Sequence, residues 1–189
     1  MTLARPKVFV AVALAVFNLA TAFIVAAAKL PIYLDSVGIV VSTIVLGWPY
    51  GVLCALVTVA AGSLLVNPYL WAYTITALAI VPVTELLYRA GMFRNVLLAA
   101  VSGLVISIVT ALLSAPVSAA LGGNTFSGSD AIAAFMMASG KSLMQSVFVA
   151  SFAAEPVDKV LVAVLAYLAV RGIPQRVASR YGFRRLQPR

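Results

Sequence analysis

Five consecutive residues, Glu155-Pro156-Val157-Asp158-Lys159, place three charged groups between two long apolar runs. Charges in such a setting are expensive unless they face water, a ligand or each other. With Pro156 at a first helical turn, Glu155 reads as an N-cap and the helix start favours anionic groups. Together with Lys159, that helix start would suit a carboxylate, phosphate or carbonyl group on a ligand. The plainer alternative is an interfacial cap in which Lys159 pairs with Glu155, four residues before it. Lys141 follows Met136 and Met137 and shares a helical face with Gln145, so it either reaches an adaptable apolar pocket or snorkels to a membrane surface. Asp35 opens another apolar run and reads as a helix cap or a ligand contact. Asn67 precedes Pro68, with Tyr69, Trp71 and Tyr73 beyond it, a set suited to stacking on a flat ligand or to an interfacial aromatic belt. Glu85 and Arg89, four apart, are expected to form a structural ion pair.

Other chemistry is excluded by what is missing. The chain has no histidine and one cysteine, Cys54, so imidazole relays, Ser-His-Asp hydrolysis and an intramolecular disulfide are all ruled out. No phosphate-binding P-loop pattern is found. No catalytic constellation, metal site or cofactor is expected, and an intramembrane enzyme is disfavoured because no nucleophile–base pair is visible.

The elements that must position these residues follow from composition. Of 189 residues, 63% are hydrophobic and only 10% charged, against about 25% charged in soluble domains. Mean hydropathy is +1.10. So few charges cannot cover a soluble surface, and the chain reads as an all-α polytopic membrane protein. Apolar segments fall at about 8–28, 34–46, 52–66, 69–88, 96–121 and 131–170, the last broken near Pro156, in a single membrane domain over 1–189. Gly47-Trp48-Pro49-Tyr50-Gly51 separates the second and third, and Asn67-Pro68 restarts the fourth as N-cap and first helical residue. Pro82 should kink the fourth, and residues 122–129 read as a polar loop.

The last two apolar pieces could make one crossing or two. Six crossings place ten of the 13 basic residues on the inner side, including six arginines among the last nineteen positions. Seven crossings put those arginines outside. The positive-inside rule therefore selects six crossings with both termini cytoplasmic, in a cell membrane. The net charge of +8 is expected to face anionic lipid rather than nucleic acid. On the first segment Ala11, Ala15, Asn18, Ala22 and Ala26 share one narrow helix face, which allows close approach of another helix, inside the bundle or on a partner.

Three of these patterns, taken in order, resemble one family. They are Leu30-Pro31-Ile32-Tyr33-Leu34-Asp35-Ser36-Val37-Gly38, then Asn67-Pro68, then Glu155-Pro156-Val157-Asp158-Lys159 continuing to Leu168. The chain resembles the S component, the membrane substrate-binding subunit, of an energy-coupling factor (ECF) transporter. That resemblance implies a six-helix bundle that binds a vitamin or similar micronutrient near the outer face. It also implies delivery by tipping in the membrane against a coupling subunit driven by two ATPases. A small-residue motif on the first helix would dock on the coupling subunit, which points to Ala11 and Ala15. The ligand site would draw on Asp35, Asn67, Lys141, Glu155, Asp158 and Lys159. Nothing matches the thiamine, biotin or cobalt branches, so riboflavin-like, pyridoxine-like and other micronutrients stay open. A membrane sensor module, expected to continue into a signalling domain beyond Arg189, and a self-sufficient secondary carrier are the rival readings.

Overall fold

The computed structural model describes residues 4–123 and 129–186. Most of the polar loop expected at 122–129 therefore lies outside the described residues. Among those described the fold is all helix: α1 (Arg5–Ala27), α2 (Val37–Leu46), α3 (Trp48–Leu65), a 3-10 turn (Pro68–Tyr73), α4 (Thr74–Arg89), α5 (Val96–Ala120), α6 (Ser129–Ala138), α7 (Leu143–Arg171) and α8 (Gln175–Tyr181). Four spans, Arg5–Ala27, Trp48–Leu65, Pro68–Arg89 and Val96–Ala120, are long and apolar enough to cross a membrane. Their outer faces are strongly apolar, with Phe9, Leu64 and Leu97 each more than two-thirds exposed. A surface like this is at home in lipid.

At the centre lies α2. All ten of its residues are buried, enclosed by α1, α3, α4 and α7, as its all-round apolar composition requires. Gly47 ends it with φ +102°, a conformation glycine adopts without a Cβ penalty. The break is narrower than the expected 47–51, because Pro49 sits in the first turn of α3, where its missing N–H costs nothing. At the other end of α2, a Cβ on Gly38 would strike the Leu14 carbonyl and lie 2.9 Å from Asn18 Oδ1, so α1 and α2 touch backbone to backbone.

That contact explains the small-residue stripe. Ala11 and Ala15 are 0% exposed, sealed inside the core with α2 and α3 residues. Asn18 ties the three helices together: its Oδ1 accepts from Gly38 N at 2.6 Å and its Nδ2 donates to Thr58 Oγ1 at 3.1 Å. The expected docking role of Ala11 and Ala15 is therefore corrected. Their small size serves packing within the bundle and leaves no free face there for a partner subunit. An Ala15→Leu variant is expected to lose about 1–3 kcal/mol through overpacking. In detergent its thermal unfolding midpoint should fall, while Ala13→Leu on the exposed face leaves the midpoint unchanged. Equal midpoints for the two variants would place the stripe outside the core.

The C-terminal half departs furthest from expectation. No break occurs at Glu155-Pro156; a continuous helix runs Leu143–Arg171 with Pro156 inside it. The break falls earlier, between α6 and α7, where Gly140 takes φ +83° and Ser142 with Gln145 forms a reciprocal capping box. Pro156 removes one backbone hydrogen bond, a loss that surrounding helices and hydroxyl side chains can offset in a membrane bundle. Pro82 likewise sits within α4 without ending it. The most extensive helix packing is that of α7 on α5, where a Cβ on Gly103 would meet the Lys159 carbonyl and come within 2.6 Å of Val160 Cα.

The two chain ends meet at one end of the bundle. Lys7 Nζ donates to the Gly182 carbonyl at 2.8 Å, and Ala4 N donates to Tyr50 Oη at 2.8 Å. Arg184 caps α2 by donating its backbone N–H to the Val45 carbonyl at 2.7 Å. Its guanidinium grips both oxygens of Glu85 at 2.8 and 3.1 Å and lies over the Tyr88 ring. The expected Glu85–Arg89 pair is present at 2.7 Å, with Arg184 as its unexpected third member.

Candidate functional site

At the other end of the bundle the helices splay around a cavity of about 180 Å³. Its walls come from the distal half of α1, the segment 32–36, the end of α3, the start of α4 and the upper parts of α5 and α7. The lining is mostly apolar, with Phe23, Ile32, Val59, Leu70 and Ile80 among its residues. A few polar groups converge on it, as expected of small-molecule sites.

One side is built on Lys159, near the middle of α7 and 3% exposed. Its ammonium donates to Asp158 Oδ2 at 2.5 Å and to Ser36 Oγ at 3.2 Å. Glu155 Oε2 lies 3.5 Å away and Asp35 Oδ1 3.7 Å away. The Tyr33 ring covers the same ammonium, its centroid 5.7 Å off. Glu155 is fixed from α5, accepting from Thr110 Oγ1 at 2.7 Å and from Ser114 Oγ at 3.3 Å. These bonds explain why a glutamate can sit inside a membrane helix: the neighbouring helix supplies hydroxyl donors to both of its oxygens.

Asp158 does something different. Its Oδ1 accepts the backbone N–H groups of Tyr33 and Leu34 at 2.9 and 2.7 Å, so it latches the α1–α2 segment onto α7. Thr21 Oγ1 donates to the Leu34 carbonyl at 2.6 Å, and the Tyr33 hydroxyl lies 3.0 Å from Ser129 Oγ at the start of α6. Leu34 holds φ +48°, a left-handed conformation that a leucine keeps only where surrounding contacts impose it. Asp158 itself is fully buried and does not line the cavity.

Of the six expected ligand residues, the structure brings Asp35, Asn67, Glu155 and Lys159 to the cavity wall. Asp158 supports it from behind. Lys141 does not join them: it is exposed in the turn between α6 and α7, because the helix break falls at Gly140 rather than at Pro156. Asn67 caps the 3-10 turn, accepting from Tyr69 N at 3.0 Å. Glu155 is not an N-cap, so no helix N-terminus adds positive charge beside Lys159. The expected preference for an anionic ligand group therefore loses its basis.

Among the site residues, Ser118 and Thr76 were not anticipated. The Tyr73 and Ser118 hydroxyls are neighbours on the cavity wall, and Thr76 lines the same cavity from α4. The Thr76 hydroxyl oxygen is buried without a hydrogen-bond partner among the described residues, while the Tyr73 and Ser118 hydroxyls pair with each other. Buried polar groups are normally satisfied, and each one left open costs about 1–3 kcal/mol. Ser107, Thr110, Ser114 and Ser118 recur on one face of α5 at spacings of three and four residues. That periodicity is as visible in the sequence as the α1 stripe. Comparison with protein-family models, with curated proteins and with solved structures finds no match to this chain.

Proposed function

We propose that this chain is the substrate-binding membrane subunit of an importer of the ECF type. It captures a small water-soluble micronutrient in the cavity and passes it inward with a coupling subunit and two ATPase subunits. The observation that carries this reading is the cavity itself: a ring-sized, mostly apolar space whose wall holds an unpartnered hydroxyl, Thr76, and one half-accessible carboxylate, Asp35. An internal packing defect would be lined by satisfied or apolar groups.

Six crossings with both termini cytoplasmic belong to the same proposal. Its support is the meeting of Lys7 with Gly182 at one end of the bundle, as an even number of crossings would give. Arg5, Lys7, Arg89, Arg176, Arg180, Arg184 and Arg185 all belong to segments at that end, so the positive-inside rule orients it toward the cytoplasm of a cell membrane. The cavity then opens toward the outer face. In α2 the inward crossing is only ten residues long, and the segment 28–36 that precedes it supplies the rest of the descent. With Ala11 and Ala15 buried, the exposed apolar surfaces of the outer helices meet lipid and the coupling subunit.

The test is native mass spectrometry of the tagged protein released from membranes in mild detergent. The expected result is one small molecule per chain and co-purification of a second membrane subunit with two ATPases. Uptake of the identified compound by liposomes holding this chain alone, driven only by an ion gradient, would replace the reading with that of a secondary carrier.

A further inference from the structure

The charge balance around Lys159 narrows the class of ligand, given the binding role proposed above. Three carboxylates, Asp35, Glu155 and Asp158, lie within 4 Å of one ammonium. Carboxylates thus outnumber the ammonium three to one in a region walled largely by apolar side chains. Lys159 has nothing to spare for a ligand: its donors are directed at Asp158, Ser36 and Glu155, and the Tyr33 ring covers it. Asp158 is committed to the Tyr33 and Leu34 amides, and Glu155 to Thr110 and Ser114.

Asp35 is the exception. Its ion pair with Lys159 is the longest of the three, and half of its side chain is accessible where it lines the cavity. Unpaired carboxylate surface in a low-dielectric recess attracts a cation and repels an anion. Also on the cavity wall, Thr76 (8% exposed) presents a hydroxyl without a partner among the described residues, beside the Tyr73–Ser118 hydroxyl pair. The Thr76 hydroxyl is an independent sign of a ligand, because it asks for a polar group rather than a charge. The space of about 180 Å³ compares with about 150 Å³ for a cavity that accepts benzene.

We infer that the ligand is a compact organic cation, in which a protonated amine or cationic heterocycle meets Asp35, an apolar ring fills the space, and a hydroxyl or carbonyl engages Thr76. Specificity against anions comes from the excess of carboxylates over the single ammonium. Specificity against plain hydrocarbons comes from the Thr76 hydroxyl, which an apolar ligand would leave unpaired.

Three probes of nearly equal shape test the sign of the charge. Phenethylamine, 2-phenylethanol and phenylacetate are titrated by calorimetry into the purified full chain in nanodiscs. Phenethylamine should bind at least tenfold more tightly than the alcohol, and phenylacetate should not bind measurably. In Asp35→Asn, which keeps the size of a half-accessible side chain, the amine's advantage should shrink by at least tenfold. Phenylacetate binding best, or an amine preference unchanged in Asp35→Asn, would overturn the inference. Native mass spectrometry separates the two levels of the argument. A co-purifying neutral or anionic molecule refutes the cation while leaving the binding role standing. A chain that carries no small molecule and binds none of the three probes refutes both.

Discussion

Replacing Lys159 by methionine is expected to destabilise the protein by about 3–5 kcal/mol, the range for removing one partner of a buried ion pair. The magnitude follows from what stays behind. Glu155 and Asp158 are 3% and 0% exposed, and both lie within 3.5 Å of the ammonium that would be lost. Methionine fills the volume of the stem but supplies no charge, leaving like charges to face each other with nothing between them. The Ser36 hydroxyl loses its partner as well.

The complementary variant separates charge from shape. Lys159→Met combined with Glu155→Gln and Asp158→Asn removes the three charges carried by α7 while keeping side-chain size, and leaves Asp35 in place. Thr110 and Ser114 can still donate to the amide oxygen that replaces the Glu155 carboxylate. The amide oxygen that replaces the Asp158 carboxylate can still accept the Tyr33 and Leu34 N–H groups. Replacing an entire buried charge cluster is often neutral, so the triple variant should recover most of the lost stability. Asp35 stays in the triple variant and loses its ammonium partner, so cation binding should persist. Thermal unfolding in detergent reads the stability, and calorimetry with phenethylamine reads the binding. A single Lys159→Met protein as stable as the parent would show that the carboxylates do not depend on the ammonium.

These charged residues were legible in the sequence because five acidic residues in 189 stand out in an apolar chain, where each charge is costly enough to need a partner. What one dimension could not give was the partner of each charge. Glu155 looked like a helix cap beside Pro156; only the α5 face bearing Thr110 and Ser114 makes it a helix-interior group. The true break at Gly140 carried a visible signal, Ser142 with Gln145 three residues on, but the Glu-Pro pair is the louder local cue. Lys141 was lost with that choice, since its place depends on where the helix starts. The apolar segments on α1, α3, α4 and α5 were read well, and these are the four long enough to cross a membrane. In α2 ten residues are too few to cross unaided, and its role as the buried axis depends on four neighbours that contribute from all parts of the chain. The alanine stripe was read correctly as a close-packing face. Its partner, Gly38, lies twenty residues beyond Asn18, and no periodicity within α1 could indicate which surface that face meets.

Asp158→Ala should release the segment over the cavity. Two backbone amides, Tyr33 N and Leu34 N, lose their acceptor at once, and each bond to a charged acceptor contributes about 1.5–3 kcal/mol. The left-handed Leu34 adds strain of about 1–2 kcal/mol that the latch now holds in place. Thr21 and the Tyr33–Ser129 contact remain, so the segment opens without the bundle unfolding. The local opening free energy should drop by at least about 2 kcal/mol, so hydrogen exchange at residues 33 and 34 should quicken about 30-fold or more. Amides in the core of α2 and α5 should change far less. Ligand release should quicken in parallel, because the same segment carries Asp35. Asp158→Asn keeps an acceptor for both amides and should exchange more slowly than the alanine variant. Unchanged exchange at residues 33 and 34 in Asp158→Ala would mean that Thr21 and Ser129 alone hold the segment shut, and that Asp158 is there only to balance Lys159.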